Sequence, residues 1–290
     1  MPGLDYAIVA NPAAGRMGRE SSRQRLDLIA RSLGCPVLGL DSTSRQDFRA
    51  CVAEASRSFR SLLVAGGDGT FADVINSLQG EVVLGFLPLG SGNALDFALG
   101  RPRSVRAYLT KVLNQDWTRV SVMLCNGCRK SLFASLGIDA LTVKKNNELS
   151  LFQHNSFFKY ALSLAAALGS FEPGQIEVRS PGLVRQFSGN LATIIAKHPF
   201  YGYGLRVSRG AALTDPHLCL RVVNSPRLAA PALLAAAALK RRPAGGFFGR
   251  AKRFEIISAK EEWLQCDGDL AGRGKEFVFE VLPDHLKLIM

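Results

Sequence analysis

In the first third of the chain, short apolar runs alternate with longer stretches whose apolar residues recur every three or four positions. Residues 7–10, 37–40, 62–65 and 82–87 are the runs. Residues 21–33 carry Leu26, Ile29, Ala30 and Leu33 on one helical face, and residues 47–58 carry Phe48, Cys51, Val52 and Ala55. Residues 71–78 read as a third helix. Strands that are apolar throughout are buried on both faces, which predicts a parallel sheet covered by helices. Ligands bind such sheets beyond the carboxyl ends of the strands. Asn11, Ser42, Thr43, the 66–70 loop and residues 90–93 all fall just past a strand, so four loops converge on one edge.

Beyond residues 101–103 and one more helix at 105–113, the pattern turns strand-rich. Strand candidates are 119–124, 130–136, 175–179, 184–188, 191–196, 218–223, 253–258, 263–266 and 277–282. Alternation and turn residues predict a sandwich. Residues 157–168 and 228–239 read as helices within or beside it. The expected fold is therefore an α/β domain with a parallel sheet, at 1–115, followed by an all-β sandwich at 116–283.

Composition adds bounds. The chain has 290 residues, 47% hydrophobic and 21% charged, which suits a globular protein with two cores. Residues 1–20 lack the apolar run of a signal peptide. The apolar stretches 160–168 and 228–239 are shorter than the roughly 20 residues that span a bilayer. A cytoplasmic protein, soluble or peripheral to a membrane, is expected. The net charge of +12 points to an acidic partner or to a generally basic surface. No nucleic-acid recognition motif occurs. Lys240, Arg241, Arg242, Arg250, Lys252 and Arg253 flank the segment 245–249, which contains Phe247 and Phe248, and exposed aromatics among cations suit an anionic membrane surface. Of six cysteines, only Cys125 and Cys128 have metal-like spacing. Asn126-Gly127 between them is a type I′ hairpin signal, so the pair reads as reduced thiols on a turn. The four histidines lack the spacing of a zinc site.

The most informative stretch is Gly66-Gly67-Asp68-Gly69-Thr70, between an apolar strand and a helix. Glycine lets a backbone approach a ligand closely, and a helix start presents unpaired N–H groups to an anion. Asp68 suits a phosphate that carries Mg2+. The same residues also read as a tight turn in which Asp68 or Thr70 caps the helix.

Several segments together resemble the diacylglycerol kinase and sphingosine kinase family. They are Gly66–Thr70, the Asn11-Pro12-Ala13-Ala14-Gly15 turn, Leu87-Pro88-Leu89-Gly90-Ser91-Gly92-Asn93, Gly137-Ile138-Asp139-Ala140 and Asp267-Gly268-Asp269. They occur in family order over nearly the whole chain. Departures are Ser91 for Thr, Ala72-Asp73 for Asn-Glu, Asp269 for Glu, and Thr214-Asp215-Pro216 for Asp-Asp-Gly. The resemblance implies an ATP- and Mg2+-dependent lipid kinase of the NAD kinase/diacylglycerol kinase-like fold, with residues 284–290 returning to the first domain and a cleft holding the reaction. It implies nucleotide contacts at Asn11, Gly66, Gly67, Asp68, Gly69, Thr70, Phe71, Ala72, Ser91, Asn93 and one of Ser42 and Thr43. By themselves these hydroxyls read as caps or turn residues. It carries the general base to Asp267, which otherwise reads as an Asp-Gly hairpin turn. It carries Mg2+ to Asp68, taken as exposed at a strand end, and a structural cation to Asp215 with the carbonyls of Ala212 and His217. The expected partner is a lipid such as diacylglycerol, a related glycerolipid or a sphingoid base. The alternatives are an NAD kinase-like phosphotransferase and a non-catalytic basic module at membranes. Oligomeric state leaves no signal.

Overall fold

The apolar runs of the first third form a parallel sheet. The computed structural model describes residues 6–15, 17–90, 92–100, 104–148, 156–224 and 246–290. These divide into two units, one from Met1–Ser121, Gly202–Gly204 and Asp284–Met290, the other from Val122–Tyr201 and Leu205–Pro283. The first unit runs β1 (Tyr6–Ala10), α1 (Glu20–Leu33), β2 (Val37–Leu38), α2 (Arg45–Ser58), β3 (Ser61–Gly66), α3 (Asp68–Ser77), β4 (Val83–Pro88), α4 (Ala94–Leu99) and α5 (Val105–Leu113). The parallel order is β2-β1-β3-β4. Lys287 and Leu288, near the end of the chain, extend the sheet in parallel beside Val83 and Leu84 of β4. Ile8, Leu63, Leu87, Val112 and Ile289 belong to one buried cluster. Helix α2 starts two residues earlier than periodicity suggests, because Ser44 accepts the Asp47 N–H and caps it. Helix α4 has six residues and carried no periodic signal.

The second unit contains most of β5 (Trp117–Cys125), then β6 (Arg129–Ser131), β7 (Phe133–Gly137), α6 (Ile138–Glu148), α7 (Ser156–Ser170), β8 (Gly174–Ser180), β9 (Leu183–Ala196), β10 (Phe200–Tyr201), β11 (Leu205–Arg206), β12 (Leu218–Asn224), β13 (Phe247–Ala251), β14 (Arg253–Cys266) and the larger part of β15 (Asp269–Ile289). The unit is a β-sandwich. Its two longest internal strands change partners along their length. The first half of β9 pairs with β8, and its second half with β7 and β12. The first half of β14 pairs with β8 and its last residues with β7. Irregular register at 257–262 accompanies the change in β14. The strands close around Leu136, Val178, Ile195, Leu220, Phe254 and Phe279.

Several expectations change here. The candidates 184–188 and 191–196 are one strand, as are 253–258 and 263–266, while 130–136 is two strands broken at Leu132. Phe247 and Phe248 are not free aromatics. They lie half-buried in β13, with Arg185 4.7 Å from the Phe247 ring centre and Arg209 5.3 Å from that of Phe248. Lys240, Arg241, Arg242 and the helix expected at 228–239 lie outside the described residues. Among the described residues no helix is long and apolar enough to cross a membrane. Asn126 and Gly127 take φ of 49° and 67°, the type I′ geometry their sequence predicts, and all six cysteines are free.

Asp73 ties α3 to α2. Its carboxylate is buried and accepts hydrogen bonds from Arg45 at 2.8 Å and Arg49 at 2.6 Å. Both guanidinium groups are about half exposed, whereas the carboxylate is not. Charge-assisted bonds to a buried group contribute about 1.5–3 kcal/mol, against about 0–1 for an exposed pair. Asp73→Ala is expected to cost stability in the higher range. Urea unfolding of both proteins measures it, and a loss under about 0.5 kcal/mol would place the pair with ordinary surface ion pairs.

Candidate functional site

In the first unit, the glycine loop is built by close approach. A Cβ on Gly66 would sit 2.4 Å from the Thr70 Oγ1, and one on Gly90 would sit 2.4 Å from the Gly67 Cα. A larger residue at Gly66 would displace Thr70 within its own loop, and one at Gly90 would push the two loops apart. Gly69, by contrast, faces open space within 4 Å. Asn11 Nδ2 donates to Thr70 Oγ1 at 3.1 Å, while Asn11 Oδ1 accepts the Ala13 N–H at 2.9 Å. The structure thus brings Asn11, Gly66, Gly67, Thr70, Gly90 and Asn93 together.

Asp68 caps a helix, though not the one it begins. It is half-buried rather than exposed, and its two oxygens accept the N–H groups of Ala94 at 2.8 Å and Leu95 at 2.9 Å, at the start of α4. Burial pushes its pKa up, and the two amides pull it partly back. Each oxygen keeps a lone pair beyond these bonds. Asn93, in the left-handed region at φ 42°, donates to the Gly90 carbonyl at 2.9 Å, and its Oδ1 is buried without a partner. A buried orphan acceptor is a candidate contact for a polar ligand or a hard cation.

Other expected contacts lie differently. The Phe71 side chain is buried and packs edge-on against Phe86 at 5.7 Å, and Ala72 is buried as well. Any nucleotide contact at these two positions would come from the backbone. Thr43 donates to Asp47 at the start of α2, and the Ser42 N–H donates to the Gly39 carbonyl, so both take part in the turn that leads into α2. Ser91 lies outside the described residues.

In the second unit, Asp267 and Gly268 form the turn between β14 and β15, with φ of 51° and 88°. The carboxylate does more than turn the chain. Its Oδ1 accepts the N–H groups of Leu132 at 3.1 Å and Phe133 at 3.0 Å, exposed by the break between β6 and β7. Burial pushes its pKa up to about 7, against the pull of the Ser131 hydroxyl, the two amides and Arg129. Arg129 reaches Asp269 at 3.2 Å, so Asp269 holds a cationic side chain. Buried Gln265 braces the turn: its Oε1 accepts the Gly268 N–H at 2.9 Å, and its Nε2 donates to Ser135 Oγ at 2.9 Å and to Asp139 at 3.1 Å. Sequence reasoning missed Gln265 and Arg129. A glutamine inside an otherwise apolar strand end was the available signal.

In the loop around Asp215, where the resemblance implies a cation, the chain's own groups contact the expected ligands. Asp215 accepts from Arg250 at 2.8 Å and from the His217 N–H at 2.9 Å. The carbonyls of Asp215 and His217 accept from Lys197, and the Ala212 carbonyl accepts the Asp215 N–H at 3.1 Å.

Comparison with known proteins fits this layout. Residues 5–125 match the diacylglycerol kinase catalytic domain, and residues 133–290 match the YegS C-terminal NAD kinase beta sandwich-like domain. A diacylglycerol kinase of Bacillus subtilis (strain 168) is 24% identical over 277 residues, covering 91% of this chain and 89% of that protein. The protein YtlR of the same organism is 27% identical over 179 residues, and the chain spans about half of its length, 54%. Among solved structures, a diacylglycerol kinase of Bacillus anthracis (strain Sterne) superposes with a TM-score of 0.73 at 17% identity, covering 99% of this chain and 96% of that one. An NAD kinase of Archaeoglobus fulgidus in complex with ATP gives 0.54 at 14%, over 98% and 93%. With both of its units matched, the chain belongs to the diacylglycerol kinase family of lipid kinases.

Proposed function

We propose that this chain is an ATP- and Mg2+-dependent kinase that transfers a γ-phosphoryl group to the hydroxyl of diacylglycerol or a related lipid. The observation that carries the reading is Asp267. A lipid hydroxyl is a weak nucleophile, and its proton must leave. A carboxylate that titrates near 7 is well matched to take it at neutral pH. The glycine loop supplies the phosphate cradle, with room at Gly69 and the α3 start behind it. Asp68 and Asn93 would hold the metal, which neutralises phosphate charge. The basic surface suits an anionic bilayer as the place where the substrate is met, with the protein cytoplasmic and peripheral.

The direct test is incubation with radiolabelled ATP, Mg2+ and either a lipid extract or NAD. Label in a lipid of phosphatidic-acid type supports the reading. Label in NAD alone supports an NAD kinase, and no label in either supports a non-catalytic module.

Asp68→Asn replaces one acceptor oxygen with an NH2 facing a backbone N–H. It is expected to lower turnover by about 10²-fold or more and to cost about 1–3 kcal/mol of stability. Steady-state kinetics with urea unfolding checks both, and wild-type turnover would remove Asp68 from the site.

For Asp267→Asn the two effects separate. Asn keeps the oxygen that accepts both amides, and Asn-Gly suits a type I′ turn. Turnover should fall by about 10²–10⁴, and the tenfold rise in wild-type kcat/KM per pH unit below about 7 should flatten. Because the folded pKa lies above that of the unfolded chain, wild-type stability falls as pH rises through 7. The variant lacks this loss, so it should match or exceed wild type in unfolding midpoint at pH 8. A variant that melts early yet keeps full activity per folded molecule would make Asp267 a turn residue only.

A further inference from the structure

The family resemblance places a structural cation at Asp215, yet a cation already sits there and it belongs to the chain. Lys197 follows β9 directly and is completely buried. A buried ammonium needs hydrogen-bond partners, since an unpaired one carries a large desolvation cost. Lys197 finds them in the loop itself, where its Nζ donates to the carbonyls of Asp215 and of His217, the latter at 2.8 Å. Its own N–H is anchored on the Leu132 carbonyl at 2.8 Å, so the stem cannot swing away freely.

We propose that the 212–217 loop is a metal-independent site in which the Lys197 ammonium does the work of a divalent ion. Charge supports this. Asp215 contributes one negative charge, and Lys197 and Arg250 contribute two positive ones, so the cluster is already over-neutralised. A divalent ion would enter against both cations and would compete with Lys197 for the His217 carbonyl, while the Ala212 carbonyl already accepts the Asp215 N–H. The carboxylate is spoken for as well, accepting from Arg250 at 2.8 Å and from the His217 N–H at 2.9 Å. The arrangement is independent of which substrate the kinase takes. Its consequence is that inhibition by a chelator reports on the metal that accompanies the nucleotide, and not on the second unit.

The test is metal content and melting of the purified chain without nucleotide. Wild type and Asp215→Asn should retain equal amounts of Mg2+ and Ca2+, and EDTA or millimolar Ca2+ should move the wild-type midpoint by less than about 1 °C. Lys197→Met keeps the stem, removes the ammonium and strands two carbonyls, so its midpoint should drop by several degrees. A divalent ion that wild type retains and Asp215→Asn loses would overturn the proposal, as would a wild-type midpoint that falls in EDTA. So would a Lys197→Met protein that melts with wild type. Should that variant fail to fold, the wild-type measurements decide alone.

Discussion

Two backbone amides pointing at one oxygen are the constraint on which the candidate chemistry depends. The break between β6 and β7 leaves the N–H groups of Leu132 and Phe133 without ladder partners, and Asp267 satisfies both. That fixes the carboxylate where burial can raise its pKa without unfolding the turn. Gln265 then secures the other side of the turn through Gly268. A residue that looks in sequence like a hairpin corner is thereby also a buried carboxylate with a raised pKa, the group to which the proposed function gives the base role. Its positive φ and its raised pKa are two costs that the surrounding hydrogen bonds offset.

Acidic residues in this chain meet three fates, and the difference lies in what surrounds them. Asp68 accepts two backbone amides at the start of α4, and on the proposed reading its remaining lone pairs would take a metal. Asp215 faces Arg250, His217 and the Lys197 cluster, which leaves no need for one. Asp73 is consumed in joining two helices. Residue type alone would have grouped all three.

The sequence was legible where a signal is local. Strands β1, β3 and β4 are apolar on both faces, and that reads directly as a parallel sheet. Asn126-Gly127 predicted its own turn. Helix α4 was missed because six residues of Ala-Leu-Asp-Phe-Ala-Leu show no full helical period, and α6 because its polar and apolar residues are poorly segregated. The long strands β9 and β14 were read as pairs of short ones, since Ser188-Gly189-Asn190 and the irregular register at 257–262 mimic turns. In the site, Asn11, the glycine loop and Asp267 were legible through spacing and motif. Gln265, Arg129 and Lys197 were not, because each acts on residues far away in sequence and leaves no spacing to read. A lone Lys197 after the apolar run 191–196 was the faint sign of a buried ammonium.

The most direct test of the account is the titration of Asp267 itself. Carbon-13 labelling of aspartate carboxyls, with Asp267→Asn used to assign the resonance, reads its ionisation without any substrate. A midpoint near 7 is expected from a buried carboxylate held by two amides. A midpoint at or below the ordinary range near 3.8 would show a solvated turn residue, and the base would have to be sought elsewhere.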